Sequence, residues 1–327
     1  MKYQNLIEQG DMFKGWSAGS RNINHNYVLP VGHESARYRI FIEVFDESRV
    51  SVSDTTFVFT STVSEYSHLK VHFINVQQGD AILIQTPDNK NIQIDGGYGS
   101  RSINRPAWTG SGETIALNYL LRNNVEHLDF IIETHRHEDH WSGLNDIRNS
   151  HITVGQNISV SNPRGYRPGD SLTLDSPVRF YFYNIGFPPG ISGNINNTSI
   201  VLKMIYGDAE FLFEGDAEGL VQSWMLSQGF NLSANVLKVS HHGAQSNNTS
   251  TNNYLSQVLN QFASIAILSY GAENPYNHPR SLPRFNRSQT YGTNPIPNPP
   301  IADNFHFDSG TIIVWSDGKL VFVSTER

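Results

Sequence analysis

Thr134-His135-Arg136-His137-Glu138-Asp139-His140 follows the apolar run Phe130-Ile131-Ile132 and precedes Trp141-Ser142-Gly143-Leu144. The β-branched run predicts a strand, and the residues after the polar segment predict the start of a helix. Histidine and aspartate are costly to bury without partners, so three imidazoles and a carboxylate in one short turn have no use in packing. The segment therefore predicts a functional turn between a strand and a helix, and a solvated polar loop is the alternative.

The spacing within this turn favours two metal positions. His135 and His137 share one face of an extended chain because they are two residues apart, while Asp139 and His140 face a second position. Imidazole nitrogen and carboxylate oxygen suit zinc, and also manganese or iron. The chain contains no cysteine, so any metal site must be built from nitrogen and oxygen atoms.

The pattern His-x-His-x-Asp-His after a hydrophobic strand resembles the metal-binding signature of the metallo-β-lactamase superfamily. The surrounding sequence is closer to one branch, the soluble domain of the ComEC/Rec2 competence proteins, from about Lys70 to the C-terminus. This resemblance implies an α/β (α+β) fold, the αββα sandwich, over residues 67–327. Residues 1–66 are expected to form a small β-rich extension or module, because residues 38–45 and 55–60 have the composition of strands.

Three further motifs resemble those of the same branch. The turn Asp95-Gly96-Gly97 ends a strand–Gly-Asp–strand–turn–strand pattern, and the resemblance places Asp95 beneath the metals. Gly215-Asp216-Ala217 follows a strand, and Asp216 is expected to bridge both cations. In Ser240-His241-His242-Gly243 the resemblance makes His241 a metal ligand and His242 a neighbour that orients ligands or substrate. Adjacent residues on an extended turn point apart, so both are not expected to bind one cation.

Asn196 stands where many relatives in the superfamily place a third histidine, and it fits the Asn-x-x-Ser pattern of the competence branch. An amide oxygen is a weaker and harder ligand than imidazole, which predicts a looser first site that accepts Mn²⁺ as well as Zn²⁺. The expected assignment gives His135, His137 and Asp216 to the first cation, with Asn196 nearby. The second cation is expected to be held by Asp139, His140, His241 and the shared Asp216.

The turn Asn274-Pro275-Tyr276-Asn277-His278-Pro279 resembles a family turn whose histidine faces substrate. His278 is therefore an expected catalytic residue, which as an imidazolium could stabilise an oxygen or protonate the leaving group. Asp139 of the histidine-rich turn is the other expected catalytic residue. Arg280, Arg284 and Arg287 follow, either as a rim that binds phosphate or as a solvated basic face. Residues 288–305 are rich in proline and asparagine and predict a flap.

The predicted activity is metal-dependent hydrolysis, in which two cations that share a carboxylate hold a water and lower its pKa so that hydroxide attacks. The resemblance points to a phosphodiesterase or nuclease, with DNA as the first expected partner and a choline- or nucleotide-type diester as the second. A lactonase, a β-lactamase-like enzyme and a non-catalytic binding module remain alternatives. The net charge of −7 weakens the nuclease interpretation.

The sequence also bounds the location of the protein. With 38% hydrophobic residues, it shows no apolar run near the ~20 residues that a membrane helix needs. Met1 to Gly10 lacks a basic region followed by an apolar core, so no secretory signal is expected. A cytoplasmic location is the default expectation, and an exported protein whose leader had been removed would look the same.

Overall fold

The computed structural model describes residues 5–8, 37–45, 50–58, 68–102, 114–245, 254–259, 264–272, 274–280, 285, 288–296 and 304–326, the first three ranges as backbone alone. Its strands, in chain order, are β1 (Asn5–Glu8), β2 (Arg37–Phe45), β3 (Val50–Val58), β4 (Leu69–Phe73), β5 (Ile82–Gln85), β6 (Asn91–Ile94), β7 (His127–Glu133), β8 (Thr153–Ser159), β9 (Arg179–Asn184), β10 (Val201–Tyr206), β11 (Ala209–Phe213), β12 (Val236–Lys238), β13 (Ile265–Leu268), β14 (Gln289–Gly292), β15 (Phe305–His306), β16 (Thr311–Ser316) and β17 (Leu320–Glu326). The α-helices are α1 (Ile115–Arg122), α2 (Glu138–Arg148), α3 (Gly219–Ser227) and α4 (Tyr254–Val258).

Two mixed sheets form the body of the molecule. The first has the strand order β1-β17-β16-β4-β5-β6-β7-β8, and the second has the order β15-β14-β13-β12-β11-β10-β9. In each sheet an antiparallel part joins a parallel part, which begins at β6/β7 in the first sheet and at β11/β12 in the second. Strands β2 and β3 form a separate antiparallel pair.

The two sheets pack face to face around one apolar core. Alternate residues of each strand supply it, such as Phe130 and Ile132 from the first sheet and Phe211 and Phe213 from the second. The rings of Phe73 and Phe213 approach to 6.2 Å between centroids across the sandwich. This arrangement follows from the period of two along a strand, which sends neighbouring side chains to opposite faces.

The residues between these positions face outwards and are covered by helices. Ile131 packs with Leu120 of α1 and Leu144 of α2, on the outer face of the first sheet. Leu212 packs with Val221 of α3 and with residues of α4, on the outer face of the second. Both faces of the central strands are therefore buried, and the architecture is the αββα sandwich that the sequence predicted.

Two details differ from the sequence-based expectations or extend them. The predicted flap over residues 288–305 contains β14, whose Thr290 and Tyr291 are buried in the sheet between β13 and β15. Residues 297–303 of that segment lie outside the described residues. The expected extension, residues 1–66, contributes β1 to the edge of the first sheet, where Asn5 pairs with Val323.

No helix in the described part of the chain is long and apolar enough to span a bilayer.

Candidate metal centre

The polar segments singled out in the sequence meet at one edge of the sandwich. The His135–His140 turn follows β7, Asp216 follows β11, and the His241–His242 turn follows β12. Strands β11 and β12 are parallel neighbours, so their carboxyl ends lie at the same edge of the second sheet. The turn after β7 meets that edge, where Nε2 of His135 lies 3.6 Å from Oδ2 of Asp216.

The first group consists of His135, His137 and Asp216. The Nε2 atom of His135 lies 3.1 Å from Nδ1 of His137 and 3.6 Å from Oδ2 of Asp216. One ligand atom from each of the three residues lies within 4.8 Å of the others. His135 is fully buried, and this burial, reinforced by the neighbouring His140, holds the pKa of its imidazole well below 6.5. Its neutral form is the one that binds a cation.

The second group consists of Asp139, His140 and His242, again within 4.8 Å of one another. The Nε2 atom of His242 lies 3.5 Å from Oδ2 of Asp139. Asp216 serves this group as well, because its Oδ1 lies 3.2 Å from Nε2 of His140 and 3.6 Å from Nε2 of His242. Oδ2 of Asp216 thus faces the first group, and Oδ1 of Asp216 faces the second group.

Three buried polar atoms at this point have no hydrogen-bond partner among the described residues: Nε2 of His140, Oδ1 of Asp216 and Nε2 of His242. Unpaired buried polar atoms are rare because each costs free energy of desolvation. All three are lone-pair donors suited to a divalent cation, and they converge. The residues present therefore fit a bound metal.

The opposite nitrogens of these rings are held by the protein. His140 donates from Nδ1 to Oδ2 of Asp95 over 2.8 Å, and His242 donates from Nδ1 to the carbonyl oxygen of Ser269 over 2.8 Å. Asp95 also accepts from the backbone nitrogen and the hydroxyl of Thr134, over 2.8 and 2.6 Å. Such bonds fix the tautomer of each ring and leave Nε2 free to bind a metal.

The pKa values in this centre reflect the crowding of charge. Burial alone would lower the pKa of His140, but the carboxylates of Asp216, Asp95 and Asp139 outweigh it and raise that pKa well above 6.5. Burial would likewise raise the pKa of Asp216, but His140, His242 and His241 hold it well below its usual range. In the absence of cations, protons therefore stabilise the cluster, so we expect metal binding to release protons.

One part of the chain is similar to a known protein family. Residues 74–163, which include the strand, the histidine-rich turn and α2, match the family model described as the metallo-beta-lactamase superfamily. This part of the chain is therefore similar to the metallo-beta-lactamase superfamily.

A relative extends the similarity beyond the residues of the family model. ComE operon protein 3 of Bacillus subtilis (strain 168) is 28% identical over 237 residues, which cover 64% of this chain. The match covers 29% of the relative, so this chain spans less than a third of that protein's length.

Solved structures with a similar course of the chain are more distant. A diphosphatase from the PhnP family is 12% identical, with a TM-score of 0.42, over 76% of this chain and 98% of that one. A metal-dependent hydrolase of the beta-lactamase superfamily is 9% identical, with a TM-score of 0.42, over 68% of this chain and 95% of that one. At these scores the similarity carries no further conclusion.

The structure distributes the tandem histidines differently from the sequence-based assignment. His242, not His241, lies beside Asp139 and His140. The physical reason is the backbone, because both residues adopt the left-handed conformation, with φ of 49° and 54°. The tight turn carries the ring of His242 inwards, and its side chain is 1% exposed. A sequence offers no signal for two successive left-handed residues that are not glycine.

His241 lies instead at the open side of the first group. Its side chain is 22% exposed, and its Nε2 is 3.8 Å from Oδ2 of Asp216. Asn196 is near it, with Nδ2 3.4 Å from Nδ1 of His241 and 3.3 Å from Oε1 of Glu218. The bond to Glu218 fixes the orientation of the amide, and Oδ1 of Asn196 is buried without a hydrogen-bond partner in the described structure.

His278 also reaches this open side, where its ring lies 5.4 Å from that of His241 and 6.2 Å from that of His242. Burial, together with His242 and His241, lowers the pKa of His278 to about 3. The ring is therefore neutral near pH 7, in contrast to the imidazolium expected from the sequence. Arg280 follows on the surface. Arg284 and Arg287 lie outside the described residues.

Sequence reasoning missed a buried network behind the second group. Asp80 belongs to the Gly-Asp turn before β5. Its Oδ1 lies 3.6 Å from Nδ1 of His242. Its Oδ2 is 2.8 Å from Nζ of Lys238, and both side chains are buried. Behind them lies Glu214, which accepts a hydrogen bond from Tyr254 and whose pKa burial raises to about 7. The signal available in the sequence was Lys238, a lysine in an otherwise apolar strand.

Proposed function

We propose that the chain is a phosphodiesterase in which each of the two histidine groups would hold one divalent cation, either manganese or zinc. The observation that carries this proposal is the position of Asp216, whose two carboxylate oxygens face separate sets of imidazole nitrogens. A structural metal site closes around one cation, whereas a shared carboxylate is suited to a pair that acts on one substrate.

In this proposal His135, His137 and Asp216 hold the first cation. Asp139, His140, His242 and Asp216 hold the second. The cations, when bound, lower the pKa of a coordinated water and neutralise charge on the oxygens of the electrophile. Asp95, Thr134 and the carbonyl of Ser269 keep the ligand rings in the tautomers that this requires.

Substrate would approach from the side on which His241, His278 and Arg280 lie. The ring of His278 is neutral, so it acts as a hydrogen-bond donor or acceptor to a substrate oxygen rather than as a charge. The guanidinium of Arg280 adds positive charge at the same edge, which favours an anionic phosphate over a neutral lactone or β-lactam. Oδ1 of Asn196, buried and without a partner in the described structure, is an additional oxygen that could serve the first cation.

Among diesters, DNA is the first candidate because the sequence resembles the soluble domain of the ComEC/Rec2 competence proteins. The net charge of −7 works against extended contact with a polyanion. We therefore propose that the reacting phosphodiester and its immediate neighbours are recognised, rather than a long duplex.

The proposal is tested with protein stripped by chelator and reloaded with Mn²⁺ or Zn²⁺. The substrates are bis-p-nitrophenyl phosphate, single- and double-stranded DNA, a phosphocholine ester, an acyl lactone and a β-lactam. We expect hydrolysis of the diesters, and Mn²⁺ should support it at least as well as Zn²⁺ because Asn196 stands in place of a histidine. His135→Ala should abolish hydrolysis and lower the metal content. Activity confined to the lactone or the β-lactam would contradict the phosphodiesterase proposal.

A further inference from the structure

The turn that carries His278 also presents an exposed aromatic ring. Tyr276 is 50% exposed, and among the described residues Phe187 and Leu220 are the other large apolar side chains that are exposed. Its ring lies 5.6 Å from that of His278, with 31° between the ring planes. His278 in turn lies 5.4 Å from His241 at the metal centre. The exposed ring of Tyr276 therefore lies next to His278, one of the groups that would face the reacting phosphate.

This ring is held on a fixed segment of backbone. The buried side chain of Asn274 accepts from the backbone nitrogen of His278 over 2.9 Å. It donates to the carbonyls of Gly271 and His278 over 2.6 and 2.9 Å. The backbone nitrogen of Arg280 donates to the carbonyl of Gly243 over 2.8 Å, which ties the segment to the tandem-histidine turn. The exposure of Tyr276 is thus not that of a loose loop tip.

The same segment presents three chemically different groups at alternate positions: the aromatic ring of Tyr276, the imidazole of His278 and the guanidinium of Arg280. An aromatic face binds either a nucleobase, by stacking, or a quaternary ammonium, by cation–π attraction. The positive charge of Arg280, which is near enough to contribute to the electrostatics of His278, repels an ammonium and attracts a phosphate. The combination therefore favours a nucleobase next to a phosphate over a choline headgroup.

We infer that Tyr276 is a stacking platform for the nucleobase beside the scissile bond, and that the substrates of this centre are phosphodiesters of nucleosides. This inference rests on the proposed phosphodiesterase function and narrows its substrate class. In this arrangement the base lies on Tyr276, an oxygen of the phosphate meets His278, and Arg280 faces the charge of the same or the adjacent phosphate.

The experiment compares two diesters with the same leaving group. Thymidine 5′-(p-nitrophenyl phosphate) carries a base, and methyl p-nitrophenyl phosphate carries none. We expect Tyr276→Ala to raise KM about 5- to 150-fold for the thymidine ester, the range measured for one stacked base, and to leave KM for the methyl ester unchanged. Tyr276→Phe keeps the ring and should keep the KM of the original protein. Phe187→Ala removes an exposed ring of another segment and should change neither.

Equal effects of Tyr276→Ala on both diesters would overturn the inference, and so would no effect on either. If Tyr276→Ala instead raises KM for a p-nitrophenyl ester of phosphocholine, the ring binds an ammonium group. That result would also overturn the inference. If the unaltered protein hydrolyses neither diester, the proposed function fails. Calorimetric titration of the metal-loaded protein with thymidine 5′-monophosphate then decides the inference separately. Binding that Tyr276→Ala weakens supports it, and absence of binding to the unaltered protein overturns it.

Discussion

Nζ of Lys238 lies 2.8 Å from Oδ2 of Asp80, and neither side chain reaches solvent to a significant extent. The pair joins β12 to the Gly-Asp turn before β5, and thereby joins the second sheet to the first directly behind His242. Removing one partner of a buried ion pair leaves the other charge uncompensated in a medium that solvates it poorly. This relationship leads to the first prediction.

Lys238→Met should lower the free energy of unfolding by about 3–5 kcal/mol, the scale for breaking a buried pair. The measurement is urea denaturation of chelator-treated protein. Lys203→Met is the matched control, because Lys203 is equally buried but its partner, Glu210, is 22% exposed and can return to water. A loss for Lys238→Met no larger than that for Lys203→Met would contradict the prediction. The double variant Asp80→Asn, Lys238→Met should recover part of the loss.

The second prediction concerns the tandem histidines. His242→Ala should remove the second cation, so that purified protein binds about one metal in place of two, since a buried ligand is lost. His241→Ala should leave a higher metal content than His242→Ala does, because the ring of His241 is partly exposed and is not grouped with Asp139 and His140. Metal content after dialysis against low metal concentrations measures both.

The neighbouring substitutions serve as controls for each other, since both remove an imidazole from the same turn. The reverse pattern, with the second cation lost in His241→Ala and kept in His242→Ala, would support the assignment that the sequence suggested. It would also show that the turn rearranges when metal binds.

Much of the fold could be predicted from the sequence because its strands carry strong patterns. The alternation around Ile82-Leu83-Ile84 sends Leu83 to the helices and its neighbours to the core between the sheets. The short β14 has no such signal, since Gln289-Thr290-Tyr291-Gly292 is polar at two of its four positions and lies beside a segment rich in proline and asparagine. Its strand state comes from pairing with β13 and β15, a tertiary effect that local propensity does not contain.

The candidate site was predictable where a local motif carried it and not where it depends on the path of the backbone. His135, His137, Asp139 and His140 stand together in the sequence. The structure groups the first two with Asp216 and the last two with His242. The choice between His241 and His242 depends on two left-handed residues. The partnership of Asp80 with Lys238 joins residues that are far apart in the chain, and hydrophobic periodicity carries no information about it.

The third prediction concerns Gly79, which has φ of +115° and lies against the first turn of α2. A Cβ at this position would lie 2.0 Å from the carbonyl oxygen of Asp139. Gly79→Ala must therefore push the turn away from the helix that carries Asp139 and His140. We expect loss of the second cation, and a loss of stability clearly above the 1–3 kcal/mol that backbone strain alone costs.

Gly169→Ala is the control that separates the cost of backbone strain from the cost of the steric clash with Asp139. Gly169 also has positive φ, +96°, but a Cβ there would meet nothing within 4 Å. This variant should show the cost of strain alone and keep its metal content. Urea denaturation and metal analysis of the two variants give the comparison, and equal losses with full metal content in both would show that the contact with Asp139 does not matter.

The fourth prediction concerns pH and a histidine that takes no part in the site. His72 of β4 is buried, and its Nδ1 lies 2.8 Å from the hydroxyl of Tyr119 on α1 while its Nε2 lies 3.2 Å from Oε1 of Gln85 on β5. Burial, and then the charge of Lys70, lowers its pKa to about 3, against 6.5 for an ordinary histidine. Between those two values the unfolded chain binds a proton that the folded chain does not.

Stability should therefore be fully present above pH 6.5 and should fall as the pH decreases from 6.5 towards 3. The contribution of this one group is at most about 1.4 kcal/mol per pH unit.

His72→Leu removes the titrating group, so the free energy of unfolding should decline less steeply with falling pH over this range than in the unaltered protein. His127→Gln, a histidine on the surface of β7, shows whether the change is specific to position 72. Urea denaturation of the metal-free protein at several pH values between 4 and 7 measures the slopes. An unchanged slope in His72→Leu would mean that the folded protein admits a proton at His72 in this range.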